Sequence, residues 1–240
     1  MPHNVTTATA SHTREHRSVL ATVERRALIW IAERLPDCIT SDHLSALGLT
    51  SMVLAGLSLA AMRIEPWAVA AAASTVICLT ANWFGDSLDG TVARVRGQLR
   101  PRYGYYIDHV IDLIGTAALM GGLAFSGLMH PLMASAVAAV YLLVCAEAYL
   151  ATHAAAVFTM SFLGFGPTEL RILIAIGVLK AAATPQIQVP LLGPMRLFDI
   201  GGAGAIVGLS IAFMVAVLRT TRALYVAEPL PPRAVCSRAA

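Results

Sequence analysis

The chain has 240 residues, of which 57% are hydrophobic and only 13% are charged, with a formal net charge of +3. A soluble domain carries about 25% charged residues, so this composition argues against a soluble protein and points to the lipid bilayer as its environment. We expect no nucleic-acid partner.

The N-terminal region divides into two parts. Residues 1–16 are polar and lack an apolar segment followed by a cleavage site, so we predict a disordered N-terminus without a secretory signal. Residues 17–36 alternate apolar and charged side chains, and their apolar residues fall near helical spacing: Leu20, Val23, Ala27, Leu28, Trp30 and Ile31. This pattern predicts an amphipathic helix at the membrane surface, with a soluble cap helix as the alternative.

Long runs without charge follow. Residues 44–62, 67–85 and 200–218 contain no Asp, Glu, Lys or Arg, and residues 113–168 contain only Glu147. They do not alternate as barrel strands would, and helices satisfy their own backbone polar groups in lipid. We therefore predict an all-α polytopic membrane protein with six transmembrane helices. They cover residues 43–63, 66–95, 104–128, 131–157, 167–184 and 199–221.

Arginine clusters set the expected orientation. They precede the first span, lie between the second and third, and follow the last. With six spans, all three clusters fall on one side, which the positive-inside rule assigns to the cytoplasm. We expect one membrane domain over residues 17–226, in the plasma membrane with its active site on the cytoplasmic side, and a disordered tail over residues 227–240.

Four aspartates lie near membrane level, where ionisable residues are costly and usually functional. Asp86 and Asp89 are three residues apart, and Asp108 and Asp112 are four apart, so each pair occupies one helical face. If the two helices pack together, four carboxylates meet, and a divalent cation would offset their mutual repulsion. Hard oxygen ligands suit Mg²⁺, Mn²⁺ or Ca²⁺.

The residues that follow the first aspartate pair favour a phosphate ligand. Arg94 and the arginines near it bring positive charge for a pyrophosphate, Gly90 allows close approach, and Ala93 leaves room. The chemistry that fits is a metal-assisted displacement at phosphorus, with one carboxylate free to take a proton. The alternative is an ion-paired cytoplasmic loop in which the aspartates are merely solvated.

These residues resemble the motif D-x2-D-G-x2-A-R-x8-G-x3-D-x3-D of the CDP-alcohol phosphotransferases, also called CDP-alcohol phosphatidyltransferases. Every fixed residue type is present: Asp86, Asp89, Gly90, Ala93, Arg94, Gly104, Asp108 and Asp112. Two departures are visible. Nine residues instead of eight separate Arg94 from Gly104, and Ser41-Asp42 stands where many members of the family begin the first span with Pro-Asn.

The resemblance implies a site with two divalent ions, Mg²⁺ or Mn²⁺, held by the four aspartates, with Asp112 also acting as the general base. It places the CDP group beside Gly90, Ala93, Arg94 and Gly104. It also implies six spans, a surface helix ahead of them and a homodimer.

Two substrate arrangements are compatible with this resemblance. We favour CDP-diacylglycerol with a small polar alcohol as acceptor. The alternative is CDP-choline or CDP-ethanolamine acting on diacylglycerol, because Asp108-His109 and the Gly-Pro-Thr-Glu ending at Glu169 resemble choline and ethanolamine phosphotransferases. Possible acceptor or helper residues are His109, Glu169 and Arg171.

Other functions explain less of the pattern. A membrane transporter also keeps acids within the bilayer, but it does not require glycine, alanine and arginine at these offsets. A prenyl-chain synthase uses denser acidic clusters in a soluble fold. Glu147 has two interpretations. It begins an E-x-Y pattern that resembles choline and ethanolamine phosphotransferases, or, like Arg171, it makes a polar contact that holds two helices together.

Overall fold

The computed structural model describes residues 19–64, 66–155, 167–184, 186–189 and 193–229. Within them the chain forms seven helices and one hairpin. These are α1 Val19–Arg34, α2 Ser41–Ala61, α3 Ala68–Val95, α4 Pro101–Ser126, α5 Pro131–Ala155, α6 Pro167–Ala183, β1 Gln186–Val189, β2 Gly193–Arg196 and α7 Leu197–Ala227. The all-α membrane fold is confirmed. The predicted disordered segment 1–16 and residues 230–240 of the predicted tail lie outside the described residues.

Five of these helices, α2 to α5 and α7, are long and apolar enough to cross a membrane. The fifth predicted span corresponds to α6, which has 17 residues and carries the charged residues Arg171 and Lys180. The last helix continues to Ala227, beyond the predicted end at residue 221. Of the predicted span 131–157, the last two residues lie outside the described part of the chain.

The hairpin before α7 was not predicted. Its two strands pair antiparallel, with Gln186 opposite Arg196, and the turn reaches Gly193 at a φ of 80°. Four-residue strands leave too few alternating positions to reveal a period of two. The hairpin joins α6 to the start of α7.

The turn between α3 and α4 sets the geometry of the aspartate segment. Gly97 has a φ of 66°, and the Gln98 N–H donates to the Ala93 carbonyl at 2.8 Å. This is the Schellman pattern that ends helices at glycine. Pro101 then opens α4 at its first turn, three residues before the predicted start, because proline lacks the N–H that this position leaves unused. The short turn keeps the start of α4 near the end of α3, and beyond the turn each of the two helices packs against α2.

Helix α2 packs against both α3 and α4. Glycines make the approach close: a Cβ on Gly85 would lie 2.6 Å from the Leu44 carbonyl oxygen. Similarly, a Cβ on Gly122 would overlap the carbonyl of Gly56. Helix α2 therefore lies near enough to the two aspartate-bearing helices to contribute side chains to the same site.

The predicted amphipathic helix is present as α1, and it packs on the end of α3 near the aspartates. The packed cluster combines residues from α1 to α3 and the linker: Leu28, Ile31, Ala32, Leu35, Ile39, Leu44, Phe84, Leu88 and Val92. The Arg96 guanidinium donates to the carbonyl of Ile39 at 2.6 Å and to that of Leu35 at 2.9 Å. These bonds tie the linker after α1 to the end of α3.

The other half of the bundle is held by α5 and α7, which pack together. The Thr220 hydroxyl donates to Glu147 at 2.9 Å, so this acid makes an interhelical polar contact, one of its two predicted interpretations. At the opposite end, the His130 N–H donates to Asp199 at 2.7 Å. Helix α6 packs against α3 and so brings its first turns towards the aspartates.

Candidate functional site

The four motif aspartates line one small cavity between α2, α3 and α4. Its lining residues are Ser45, Gly48, Asn82, Asp86, Asp89, Asp108, Ile111 and Asp112. The centre of a water-sized sphere can move through about 10 Å³ of this cavity. That is roughly the room that one water molecule or one cation needs. Helical spacing puts each pair on one face of its helix, and the two pairs line one cavity because α3 and α4 both pack against α2.

Two of the aspartates on α3 have defined partners. Asp89 is only 8% exposed, and it accepts hydrogen bonds from the Ser45 hydroxyl at 2.7 Å and from the Gly90 N–H at 2.5 Å. Asp86 forms an ion pair with Arg171 of α6 at 2.8 Å, and the arginine side chain is 13% exposed. Asp89 therefore contacts α2 and Asp86 contacts α6, so two other helices contribute side chains at this end of α3.

The residues assigned to the CDP group differ in their surroundings. Gly90 and Arg94 are exposed and follow Asp86 at intervals of four residues, so they continue its helical face. No atom lies within 4 Å of a Cβ built on Gly90 or on Gly104. Ala93, in contrast, is 8% exposed and packs inside. Gly90, Arg94 and Gly104 retain accessible space.

Of the remaining candidates, Arg171 contacts a motif aspartate through its ion pair with Asp86. The His109 Nδ1 lies 2.5 Å from the Tyr105 carbonyl oxygen, and its ring packs between Tyr105 and Tyr149 with centroid distances of 4.1 and 5.0 Å. His109 is not among the residues that line the cavity. The side chain of Glu169 lies outside the described part of the chain.

The aspartate motif and the cavity that it lines agree with a known family. A sequence profile of the CDP-alcohol phosphatidyltransferases matches residues 35–221, which is most of the chain. The chain belongs to this family. As a CDP-alcohol phosphatidyltransferase, it is an integral membrane transferase of phospholipid synthesis that acts on a CDP-linked alcohol.

One solved structure similar to this CDP-alcohol phosphatidyltransferase is the Mycobacterium tuberculosis phosphatidylinositol phosphate synthase with CDP-DAG bound. The two share 19% sequence identity, with 88% of this chain and 100% of that chain covered and a TM-score of 0.57. At this identity the similarity supports the fold. No curated protein matched the sequence.

CDP-alcohol phosphatidyltransferases generally depend on a divalent metal. The residues here fit such an ion by their chemistry, since the cavity is lined by four carboxylates and the amide of Asn82, whose buried Oδ1 has no hydrogen-bond partner among the described residues. In the described residues, however, no three His, Cys, Asp or Glu side chains are already arranged to hold a metal ion. Asp86 and Asp89 instead contact Arg171 and Ser45, respectively.

Several residues of this cavity were not predicted from the sequence. Asn82 lies one turn before Asp86 on the same face of α3, so its spacing could have indicated it. Ser45 and Gly48 come from α2, and nothing in their local pattern pointed to the aspartates. They reach the site only because α2 packs against α3.

Proposed function

We propose that this enzyme uses CDP-diacylglycerol as its donor and transfers the phosphatidyl group to the hydroxyl of a small polar alcohol, with release of CMP. The proposal depends above all on one observation, the cavity lined by Asp86, Asp89, Asp108 and Asp112 with Arg171 paired at its edge. The donor is further supported by the structurally similar synthase, which is described with CDP-DAG bound.

The proposed step is a displacement at the phosphorus that carries the diacylglycerol. The acceptor hydroxyl forms a new P–O bond, the P–O bond of the pyrophosphate to CMP breaks, and the hydroxyl proton passes to the Asp112 carboxylate. Asp112 lies one helical turn further into the membrane than Asp108, towards the region in which the lipid part of the donor lies. An alcohol is a weak nucleophile until its proton is taken, which is the reason for a positioned base.

The residues proposed to hold two Mg²⁺ or Mn²⁺ ions are Asp86, Asp89, Asp108 and Asp112. Such ions neutralise negative charge on the pyrophosphate and polarise its P–O bonds. The Ser45 hydroxyl holds one oxygen of Asp89 in place, and this limits the orientations in which that carboxylate can bind. Arg171 supplies a positive charge beside Asp86, at the edge of the cavity.

The proposed CDP contact at Gly90 can be tested by adding one methyl group. Gly90→Ala should raise the KM for the CDP-linked donor about tenfold or more, equivalent to about 1.4 kcal/mol, with unchanged thermal stability. The reason is that a Cβ at Gly90 meets no protein atom within 4 Å, so only a ligand would be displaced by it. Initial-rate kinetics and thermal unfolding in detergent measure the two effects.

Gly121→Ala is the matched control, because a Cβ there also has no atom within 4 Å and Gly121 lies in α4 outside the cavity. It should leave KM unchanged. If Gly90→Ala has the donor KM of the parent, Gly90 does not contact the CDP group.

The function itself is tested by following CMP release from purified protein. CDP-diacylglycerol, CDP-choline and CDP-ethanolamine are each supplied with a panel of acceptors that includes inositol, inositol phosphate, glycerol phosphate, serine and diacylglycerol. We expect metal-dependent CMP release with CDP-diacylglycerol and a small polar alcohol. Turnover of CDP-choline or CDP-ethanolamine with diacylglycerol would instead support the alternative, which the Asp108-His109 pair favours. No metal-dependent CMP release with any pair would contradict both.

We also propose that the enzyme lies in the plasma membrane as a homodimer with its aspartate site facing the cytoplasm. Arg94, Arg96, Arg100 and Arg102 surround the turn after α3, and positively charged loops remain in the cytoplasm. A cysteine introduced at Gln98, in a background without the native cysteines, should be protected from an impermeant thiol reagent in intact cells. Labelling by the reagent outside the cells would show that the loop at Gln98 faces away from the cytoplasm and would contradict the proposed orientation. Light scattering in detergent tests the dimer.

A further inference from the structure

Asn82 is the uncharged polar side chain from α3 in the aspartate cavity. It lies four residues before Asp86 and seven before Asp89, so the three share one face of α3. It is only 3% exposed, in a part of α3 that carries no charged residue before Asp86. A buried amide in this position is costly unless both of its polar atoms have partners.

One half of the amide has a partner. The Asn82 Nδ2 donates to the Gly48 carbonyl oxygen at 3.0 Å. Because a carbonyl oxygen can only accept, this bond determines which end of the amide is nitrogen. The amide is planar, so Oδ1 must point away from Gly48. Oδ1 is buried, and it accepts no hydrogen bond from any group in the described residues.

We propose that Asn82 is a positioning residue of the metal site, with Oδ1 as a neutral oxygen that binds the divalent cation directly or through one water molecule. This inference rests on the proposed metal site. Asn82 lines the same cavity as the four aspartates, and its free acceptor is the kind of oxygen that Mg²⁺ and Mn²⁺ bind. A neutral oxygen adds a ligand without adding to the repulsion among four carboxylates.

The position of Asn82 along α3 also bears on where in the cavity its oxygen would hold the cation. It lies one turn further into the membrane than Asp86, at the depth on α3 that Asp112 reaches on α4 relative to Asp108. The two residues thus bound the membrane-side end of the cavity. An oxygen there can hold the cation away from the solvent-side edge, where Arg171 is paired with Asp86.

The test measures Mn²⁺ binding to the purified protein in detergent, without substrates, from the free Mn²⁺ signal in electron paramagnetic resonance. Asn82→Leu keeps the approximate size and removes the oxygen, and it should weaken Mn²⁺ binding about 10–100-fold, as loss of residues supporting a metal site does. Asn82→Asp keeps an oxygen and should recover most of the affinity, although it loses the bond to Gly48. Asn82→Met replaces the leucine variant if that variant does not fold.

Thr75→Val is the matched control. Thr75 is fully buried on α3 and donates to the Ala71 carbonyl at 2.9 Å, two turns before Asn82 and outside the cavity. Loss of the Thr75 hydroxyl should leave the Mn²⁺ affinity unchanged. The inference is overturned if the leucine variant binds Mn²⁺ as the parent does, or if the aspartate variant binds as weakly as leucine, which would indicate a purely structural bond to Gly48. If the parent binds no Mn²⁺, the proposed metal site fails as well. If Asp86→Asn abolishes Mn²⁺ binding but Asn82→Leu leaves it unchanged, the metal site stands and only the role proposed for Asn82 fails.

Discussion

Asp112→Asn is expected to lower the rate of CMP release by about 10²–10⁴-fold, the range that loss of a positioned base costs. Asparagine keeps the size of the side chain and one oxygen that can bind a metal, but it cannot take the acceptor proton as a carboxylate does. Nucleotide binding should therefore survive in part. Metal-dependent CMP release and equilibrium nucleotide binding, both measured on the same preparation, check the two effects.

Two matched substitutions make this result specific. Asp199→Asn is the same chemical change at the other end of the bundle, where Asp199 accepts from the His130 N–H, and it should retain parental activity. Asp86→Asn should reduce metal and nucleotide binding together, because Asp86 is proposed as a ligand. Turnover of Asp112→Asn near the parental rate would exclude Asp112 as the base. Complete loss of nucleotide binding would make Asp112 mainly a metal ligand and leave His109 as the next candidate base.

Gly122→Val should be among the most destabilising single changes in the bundle. A Cβ at Gly122 would overlap the Gly56 carbonyl, and backbone atoms cannot rotate aside as a flexible side chain can. Overpacking costs about 1–3 kcal/mol and occasionally more, and we expect the upper end here. Because α2 carries Ser45 while α4 carries Asp112, forcing these helices apart should also lower activity. Thermal unfolding in detergent and CMP release measure both.

The adjacent residue provides the control. Gly121→Val makes the same substitution in the same helix, but no atom lies within 4 Å of a Cβ at Gly121. It should change the thermal midpoint little, and the difference between the two variants isolates the contact between α2 and α4. Equal unfolding temperatures for both variants would contradict the close packing at Gly56.

Much of the helical architecture could be predicted because lipid imposes a simple rule. A run without charged residues must satisfy its backbone polar groups within a helix, so residues 44–62 and 67–85 indicate spans by length alone. The rule weakens where charges enter. Arg171 and Lys180 lie in α6, which has 17 described residues and is therefore shorter than the other five predicted spans. The hairpin at residues 186–196 has no such signal and was missed.

The sequence by itself determined which residues share a helical face. Spacings of three and four put Asp86 with Asp89 and Asp108 with Asp112, and they belong to a motif whose family the profile match confirms. These are local relations, and helix geometry alone converts them into positions in space.

Only the tertiary structure decided which distant side chains join the aspartates. Ser45 bonds Asp89 across 44 residues of sequence, Asn82 bonds Gly48 across 34, and Arg171 pairs with Asp86 across 85. Such contacts depend on how closely α2, α3 and α6 approach and at what depth each helix starts. Glycines such as Gly85 set that approach, and their effect appears only when the partner backbone is in place. Periodicity describes the faces of single helices, whereas the site depends on the distances between them.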